Sequence, residues 1–315
     1  MSNRASWDAL LESIRQDRRS GASALSRRAA EGLPRLFELL GEPDDQTALS
    51  WRRELRKLAN CRPPIAALFN LARATADLVT SKSVKPSITD LARAFVEDVD
   101  AHNDRIVASA ASLLDGHSAV LTISASSVVE RCLVKAHESG RELTVCCLES
   151  RPGREGVELA TRLASAGLGV SLGVDAAMSR LVQECDLVLV GGDTVSPTGL
   201  VHKLGTLGLA LAASSAKVPI YALCGSEKFL PSAVAGWQLD GGPPTEVTNF
   251  PGDPALPAWN GYFDLTPLEL LTGIVSETGP LEPARAAAYA AARLVHPWLV
   301  DLLERGSAKG GRSIV

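Results

Sequence analysis

From Trp7 to about Val107, apolar side chains recur three and four positions apart, and charged residues fill the positions between them. Trp7, Ala9, Leu10 and Ile14 make one such set; Leu33, Leu36, Phe37 and Leu40 a second; Leu91, Phe95, Val96 and Val99 a third. A stripe with that period buries one face of a helix, so the stretch predicts an all-helical region. Asp115-Gly116 is a turn signal, and the pattern changes beyond it. Short apolar runs follow at 120–123, 143–148, 170–174, 187–190 and 219–224, separated by helical stretches at 127–138, 156–166, 176–184 and 200–216. Strands apolar on both faces that alternate with helices predict a parallel sheet covered on both sides.

The expected fold class is therefore α/β. A helical N-terminal domain over 1–115 precedes a Rossmann-like, doubly wound parallel-sheet domain over 116–280. A C-terminal helical extension over 281–315 follows, with an Ala-rich helix at 284–295, then His296-Pro297, and a frayed end in GSAKGGRSIV. In doubly wound sheets ligands gather beyond the carboxyl ends of the strands, at the topological switch point, so the strand ends are where chemistry is expected.

Composition narrows the function classes. With 46% apolar and 22% charged residues over 315 positions, the chain has enough apolar surface to build its own core. A net charge of -4 offers no general attraction to nucleic acid or to an anionic membrane, so neither is an expected partner. The apolar stretch at 204–216 falls short of the roughly 20 residues of a membrane span, and MSNRASWDALLESIRQDRRSG lacks a signal-peptide core, which together predict a cytoplasmic location. The six cysteines form no CxxC pair and sit mostly in apolar runs, reading as reduced, buried thiols; the five histidines show no metal spacing. Neither metal nor cofactor is expected, and no GxGxxG, Walker A or GxSxG sequence is present.

The strand ends carry the candidate chemistry. The first strand ends in Thr122-Ile123-Ser124-Ala125-Ser126-Ser127 and feeds a helix, where free amides and hydroxyls suit an anion or serve as an ordinary cap. After the second, Arg151-Pro152-Gly153-Arg154 sets two arginines among residues that turn the chain, a pattern suited to a phosphate. The fourth runs into VLVGGDTVSPTGLVHKLGT at 188–206. Here Gly191 and Gly192 admit a close approach to the backbone, Asp193 supplies a carboxylate, and His202 and Lys203 supply an imidazole and a cation. Isolated aspartates after strands are commonly helix caps, the plainer reading of Asp175 and Asp193. Cys224 puts a thiol on the same rim, and in the helical region Pro63-Pro64 fixes the backbone beside Arg62.

These residues resemble a known family. VLVGGDTVSPTGLVHKLGT is similar to the VGAD…NG…NKIGT signature of the fold shared by the α, β and δ subunits of eukaryotic translation initiation factor 2B, methylthioribose-1-phosphate isomerase and ribose-1,5-bisphosphate isomerase. Glu149-Ser150-Arg151-Pro152 resembles the family's ESRP phosphate loop, 218–221 its VPFYV strand, and 260–269 its NPxFDxTPxEL segment, so that the motifs span about 121–274. Arg62-Pro63-Pro64-Ile65-Ala66-Ala67-Leu68-Phe69-Asn70 resembles RPTAVSLxN of the ribose-1,5-bisphosphate isomerases, and Arg19-Ser20-Gly21-Ala22 their RGA loop, which leans toward the sugar-phosphate branch.

In the isomerases, the resemblance implies, a cysteine of a THC motif and the aspartate of GAD exchange protons with the first two carbons of a phosphorylated aldose. Asp193 fits the second role, while Ser124 stands where the cysteine would be and His202 replaces the asparagine of the NK pair. A serine hydroxyl is a far poorer proton acceptor than a thiol. One reading is an aldose–ketose isomerase of the ribose-1,5-bisphosphate type whose base has moved to Cys224 or His202. In it Arg62, Gly21, Ala22, Arg151, Lys203 and Gly192 hold the substrate and its phosphates. The alternative is a non-catalytic sensor of a sugar phosphate or nucleoside monophosphate, and a third reading is a structural subunit of an assembly. Family members associate through the α/β domain, so the resemblance implies a homodimer, with a hexamer as the larger form.

Overall fold

The computed structural model of the protein describes residues 3–81, 87–234, 242–247 and 258–303. Helices α1 (Asn3–Gln16), α2 (Ala22–Leu40), α3 (Ala48–Asn60), α4 (Ala66–Thr80) and α5 (Ile88–Ala110) occupy the stretch where the helical period runs. Their apolar stripes meet in one core, in which Trp7, Leu33, Trp51, Leu55 and Phe69 are fully buried. Helix α5 opens on a reciprocal cap. The Ser87 hydroxyl accepts the Asp90 N–H at 3.0 Å, and the Asp90 carboxylate accepts the Ser87 N–H at 3.3 Å. At its other end Ile106, Val107 and Ala110 enter the core of the sheet, so this helix joins the two regions.

Beyond it come β1 (Ala119–Ile123), α6 (Ser127–Glu138), β2 (Thr144–Leu148), α7 (Glu155–Ser165), β3 (Gly169–Gly173), the single turn α8 (Met178–Leu181) and β4 (Leu187–Val190). The chain continues through β5 (Thr194–Ser196), β6 (Gly199–Lys203), α9 (Thr206–Ala216), β7 (Ile220–Leu223), β8 (Phe263–Thr266), β9 (Gly273–Ser276), β10 (Gly279–Leu281) and α10 (Pro283–Ala291). The main sheet has the order β10-β9-β7-β4-β1-β2-β3, parallel throughout except at β10. This is the mostly parallel α/β fold behind a helical region that the alternation predicts. Strand β4 is buried along its whole length and β3 lies at an exposed edge, as covering helices and sheet position require.

The chain leaves β1 for β2 and β3 on one side, then returns to place β4 on the other. That reversal is the switch point. The segments after β1 and β4, starting at Ser124 and Gly191, therefore flank one crevice.

Two stretches depart from the sequence expectation. The run at 200–216, predicted as one helix, is strand β6 followed by α9. Gly199 sits at φ +150°, where a Cβ would stand 2.6 Å from the Thr266 carbonyl, so the chain reverses tightly; Gly199–Val201 pairs antiparallel with β5 and Leu200–Lys203 with β8. A short apolar run does not by itself distinguish strand from helix, and the partner strand β8 lies some sixty residues away. The stretch at 176–184 is broken into α8 between two 3₁₀ turns. Helix α10 packs Ala286 and Ala290 into the sheet core, and the terminal GSAKGGRSIV lies outside the described residues. No helix among the described residues is long and apolar enough to cross a membrane.

Candidate active site

The crevice opens into a cavity of about 140 Å³ walled by the ends of β1 and β4, the start of α2, and strands β6 and β8. Asp17 shapes its α2 side. Its carboxylate accepts the N–H groups of Arg19 and Ser20 at 3.0 and 2.9 Å and the Arg28 guanidinium at 2.6 Å. Burial alone would raise the pKa of Asp17, but these donors hold it at about 2. The turn so fixed presents Arg18 and Arg19 and leads into Gly21, the N-cap of α2, where no side chain satisfies the helix amides. Helix α6 likewise starts at Ser126 without a side-chain cap. Two uncapped helix N-termini thus border one cavity, an arrangement suited to anions.

On the opposite wall Asp193 is held through its backbone, its N–H donating to Val201 O at 2.9 Å and its carbonyl accepting the Ala66 N–H at 3.2 Å. Burial raises its carboxyl to a pKa of about 6 against the pull of Lys228, Arg62 and Lys203, with Glu155 adding to the rise. Arg62 is buried beneath the Phe263 ring at 5.9 Å, and burial and Arg18 lower its pKa while Asp193 opposes. Lys203 Nζ lies 3.0 and 2.9 Å from the two Glu155 oxygens. Lys228 has no ion-pair partner within 4 Å among the described residues. Five cations, Arg18, Arg19, Arg62, Lys203 and Lys228, face two carboxylates, Glu155 and Asp193, leaving the cavity positive.

A model described as the initiation factor 2 subunit family matches residues 18–283. The chain belongs to this family. Among relatives within the initiation factor 2 subunit family, the ribose 1,5-bisphosphate isomerase of Archaeoglobus fulgidus is 30% identical over 287 residues, covering 87% of this chain and 89% of that one. The methylthioribose-1-phosphate isomerase of Geobacillus kaustophilus is 32% identical over 286 residues, covering 82% and 79%. The crystal structure of the Pyrococcus horikoshii translation initiation factor eIF-2B superposes with a TM-score of 0.76 at 27% identity, covering 89% of this chain and 98% of that one.

Of the positions singled out in the sequence, Gly21, Ala22, Arg62, Ser124, Gly192, Asp193, His202 and Lys203 line the cavity of this family member. Ser124 is in a left-handed conformation at φ 68°, its N–H donating to Ser150 Oγ at 2.7 Å.

Arg151 does not line it. Its guanidinium turns outward to the carbonyls of Glu246 and Val247 at 2.9 and 3.4 Å, while its own N–H and that of Ser150 donate to Asp175. That geometry keeps Arg151 out of the cavity, contrary to the phosphate-gripping role expected of it. Asp175 organises this loop, and the loop instead delivers Glu155 to Lys203. Cys224 is also misplaced in the sequence expectation. Its side chain lies in the sheet core with its sulfur behind Gly192, where a Cβ would meet it at 2.4 Å, and burial pushes the thiol up to about 12. It has neither the access nor the acidity of a base.

The same distances answer for the paired glycines. A Cβ on Gly191 would strike the Ser126 side chain at 2.6 Å, so Gly191 and Gly192 are dictated by packing around the crevice as much as by room for a ligand.

His202 lies in the cavity wall, and burial, then Lys228 and Lys203, press its pKa down to about 3. An imidazole that weak is a poor general base near neutrality. The sequence reading missed Lys228, Glu155, Tyr262 and Arg18. Lys228 reaches the cavity because Asn70 clamps its 3₁₀ turn, donating to the Glu227 and Phe229 carbonyls at 2.8 and 3.1 Å. On the other side of that turn Glu227 Oε2 pairs with His102 Nδ1 at 3.1 Å.

Proposed function

We infer that the chain is an aldose–ketose isomerase acting on a phosphorylated ribose of the ribose-1,5-bisphosphate type, with Asp193 as its proton carrier. The observation that carries this reading is a carboxyl with a pKa of about 6 facing a cavity of five cations and two uncapped helix N-termini. Those helix ends and cations match a substrate with phosphate at both ends. A carboxyl titrating near the working pH both takes and returns a proton efficiently. In the isomerisation the carbon-bound hydrogen of C2 moves to C1, and the proton of the C2 hydroxyl ends on the opened ring oxygen, so no redox partner is consumed. Asp193 carries the carbon-bound hydrogen. Relatives bearing the names ribose 1,5-bisphosphate isomerase and methylthioribose-1-phosphate isomerase support the class of reaction.

A second reading, a non-catalytic sensor of sugar phosphates or nucleoside monophosphates, is favoured by Ser124, a neutral hydroxyl at the position where the resemblance implies a thiol. In the isomerase reading Ser124 hydrogen-bonds the substrate and Ser124→Cys raises turnover; in the sensor reading Ser124→Cys creates turnover or leaves none. A homodimer formed through the α/β domain accompanies either reading, supported by the exposed apolar side chains of Leu172, Val174 and Leu211 around β3 and α9. Light scattering of the purified chain tests it.

The deciding first experiment is a thermal-shift panel of ribose 1,5-bisphosphate, methylthioribose 1-phosphate, ribose 1-phosphate, fructose 6-phosphate and nucleoside monophosphates. A ligand at about 100 times its dissociation constant adds about 2.7 kcal/mol of stability. Ribose 1,5-bisphosphate is expected to give the largest shift, followed by conversion to the ketose; absence of any shift across the panel removes both ligand-binding readings.

A further inference from the structure

The hydroxyl of Thr206, at the start of α9, has one proton and two close neighbours: the Lys203 carbonyl at 2.6 Å and His202 Nδ1 at 3.0 Å. A carbonyl has nothing to donate, so the contact at 2.6 Å requires the hydroxyl proton to point at Lys203 O. Thr206 Oγ1 can then only accept from Nδ1, which therefore carries a hydrogen. In a neutral imidazole the other nitrogen is left as a bare lone pair. His202 stays neutral across the ordinary pH range, because burial and the neighbouring Lys228 and Lys203 disfavour a second proton.

His202 lines the cavity, and with Nδ1 turned to Thr206 the other ring nitrogen, Nε2, is directed away from that contact. Nε2 lies 3.2 Å from where a Cβ of Gly191 would stand, beside the Ser126 side chain, and no hydrogen-bond donor meets it among the described residues. The surrounding wall is the reverse in character, built of donors: Lys228, Lys203, Arg62 and the amides at the starts of α2 and α6.

We propose that Thr206 is a positioning residue that holds His202 in its Nδ1-protonated form, so that Nε2 selects a ligand presenting a free hydroxyl there. A phosphate oxygen at this position faces a lone pair and is repelled, whereas an O–H donates to it. His202 thereby separates the carbohydrate portion of the ligand from the phosphates, which the cations and helix ends hold, and fixes which way round the molecule lies. The nature of the ligand rests on the sugar-phosphate reading above; the tautomer does not.

The test has two arms on the full chain. Long-range ¹H–¹⁵N spectra of histidine-labelled protein, with His202 identified by loss of its signals in His202→Gln, read the tautomer directly. Wild type is expected to show a protonated Nδ1 and a bare Nε2 from pH 6 to 8, Thr206→Ser to keep that state, and Thr206→Val to lose it. A protonated Nε2 in wild type, or a Thr206→Val spectrum identical to wild type, overturns the positioning role.

In the second arm the 2-deoxy and 3-deoxy analogues of ribose 1,5-bisphosphate are compared with the parent by titration. One of them is expected to bind wild type at least ~10-fold more weakly, with the difference falling below ~3-fold in Thr206→Val, as a hydrogen bond of this kind allows. Equal binding of all three compounds overturns the hydroxyl selection. Failure of the parent itself to bind overturns that selection together with the sugar-phosphate reading, and is told apart from failure of the positioning role because the tautomer is measured without ligand.

Discussion

Lys203 Nζ sits 2.9 Å from Glu155 Oε2, and both side chains are almost entirely removed from solvent. The lysine ends β6 and the glutamate begins α7, so one ion pair closes the cavity between two strand ends. The Tyr262 ring lies 5.7 Å from the same ammonium and 5.4 Å from the Arg18 guanidinium, which places two cations against one aromatic wall. Removing one partner of a buried pair leaves the other uncompensated, at a cost of about 3–5 kcal/mol. Lys203→Met is therefore expected to lower unfolding stability by that order, and the double variant Lys203→Met/Glu155→Leu to regain most of it. Additive losses in urea unfolding would show that the two residues act independently.

Asp193 makes the free protein less stable than it could be. Its folded pKa of about 6 lies above its ordinary value of 3.8, so the folded state favours the protonated acid. That preference is fully present below pH 3.8 and is lost as pH rises toward 6, after which the carboxylate is a burden of at most about 3 kcal/mol. In phosphate-free buffer at pH 7.5 Asp193→Asn is expected to unfold at higher urea concentration than wild type. The gap should close as pH falls below 4, and a gap independent of pH would contradict the assigned acidity.

Arg62 and Arg151 separate the cavity from its surroundings. Arg62 lines the cavity, whereas Arg151 points at the Glu246 and Val247 carbonyls. Isothermal titration with ribose 1,5-bisphosphate is expected to show at least ~10-fold weaker binding for Arg62→Ala, the loss of one charge-assisted contact. Arg151→Ala should stay within ~2-fold of wild type. The reverse ranking would restore Arg151 as the anion ligand.

The pair beneath Lys228 gives a second pH signature. Glu227 raises the pKa of His102 above the usual 6.5, opposed by burial and aided by Glu277 and Asp98. Burial pushes the Glu227 pKa upward, yet His102 and Lys228 bring it below the usual 4.5. The histidine contributes stability that is complete below pH 6.5 and fades as pH rises through its folded value; the glutamate contributes stability that is complete above pH 4.5 and fades as pH falls. Thermal unfolding should therefore show the widest gap between wild type and His102→Gln at about pH 4.5–6.5 and a narrower one at pH 8.5. A constant gap would mean that His102 acts by packing alone.

The sheet was legible because its strands are short runs apolar on both faces, such as Leu187–Val190, which a parallel sheet requires. Asp193, Lys203 and Ser124 were legible because strand ends at a switch point are where ligands bind. The second sheet was not, since Gly199–Lys203 is held as a strand by pairing with Thr194–Ser196 on one side and with the distant Phe263–Thr266 on the other, contacts that local periodicity does not record. Arg151 was misread for a related reason: a strand-end arginine can turn either way, and the Asp175 carboxylate that fixes its loop lies on a different strand end. Lys228 went unnoticed because it is placed by Asn70, from a helix more than 150 residues earlier.

The most direct test of the account follows deuterium by NMR while ribose 1,5-bisphosphate reacts in D₂O with wild type and with Asp193→Asn. The account predicts ketose formation with deuterium entering at C1 of the ketose, and at C2 of aldose re-formed by the reverse reaction, in wild type, and a loss of at least ~100-fold in both rates when the carboxyl becomes an amide. Deuterium entry at the wild-type rate in Asp193→Asn would contradict it.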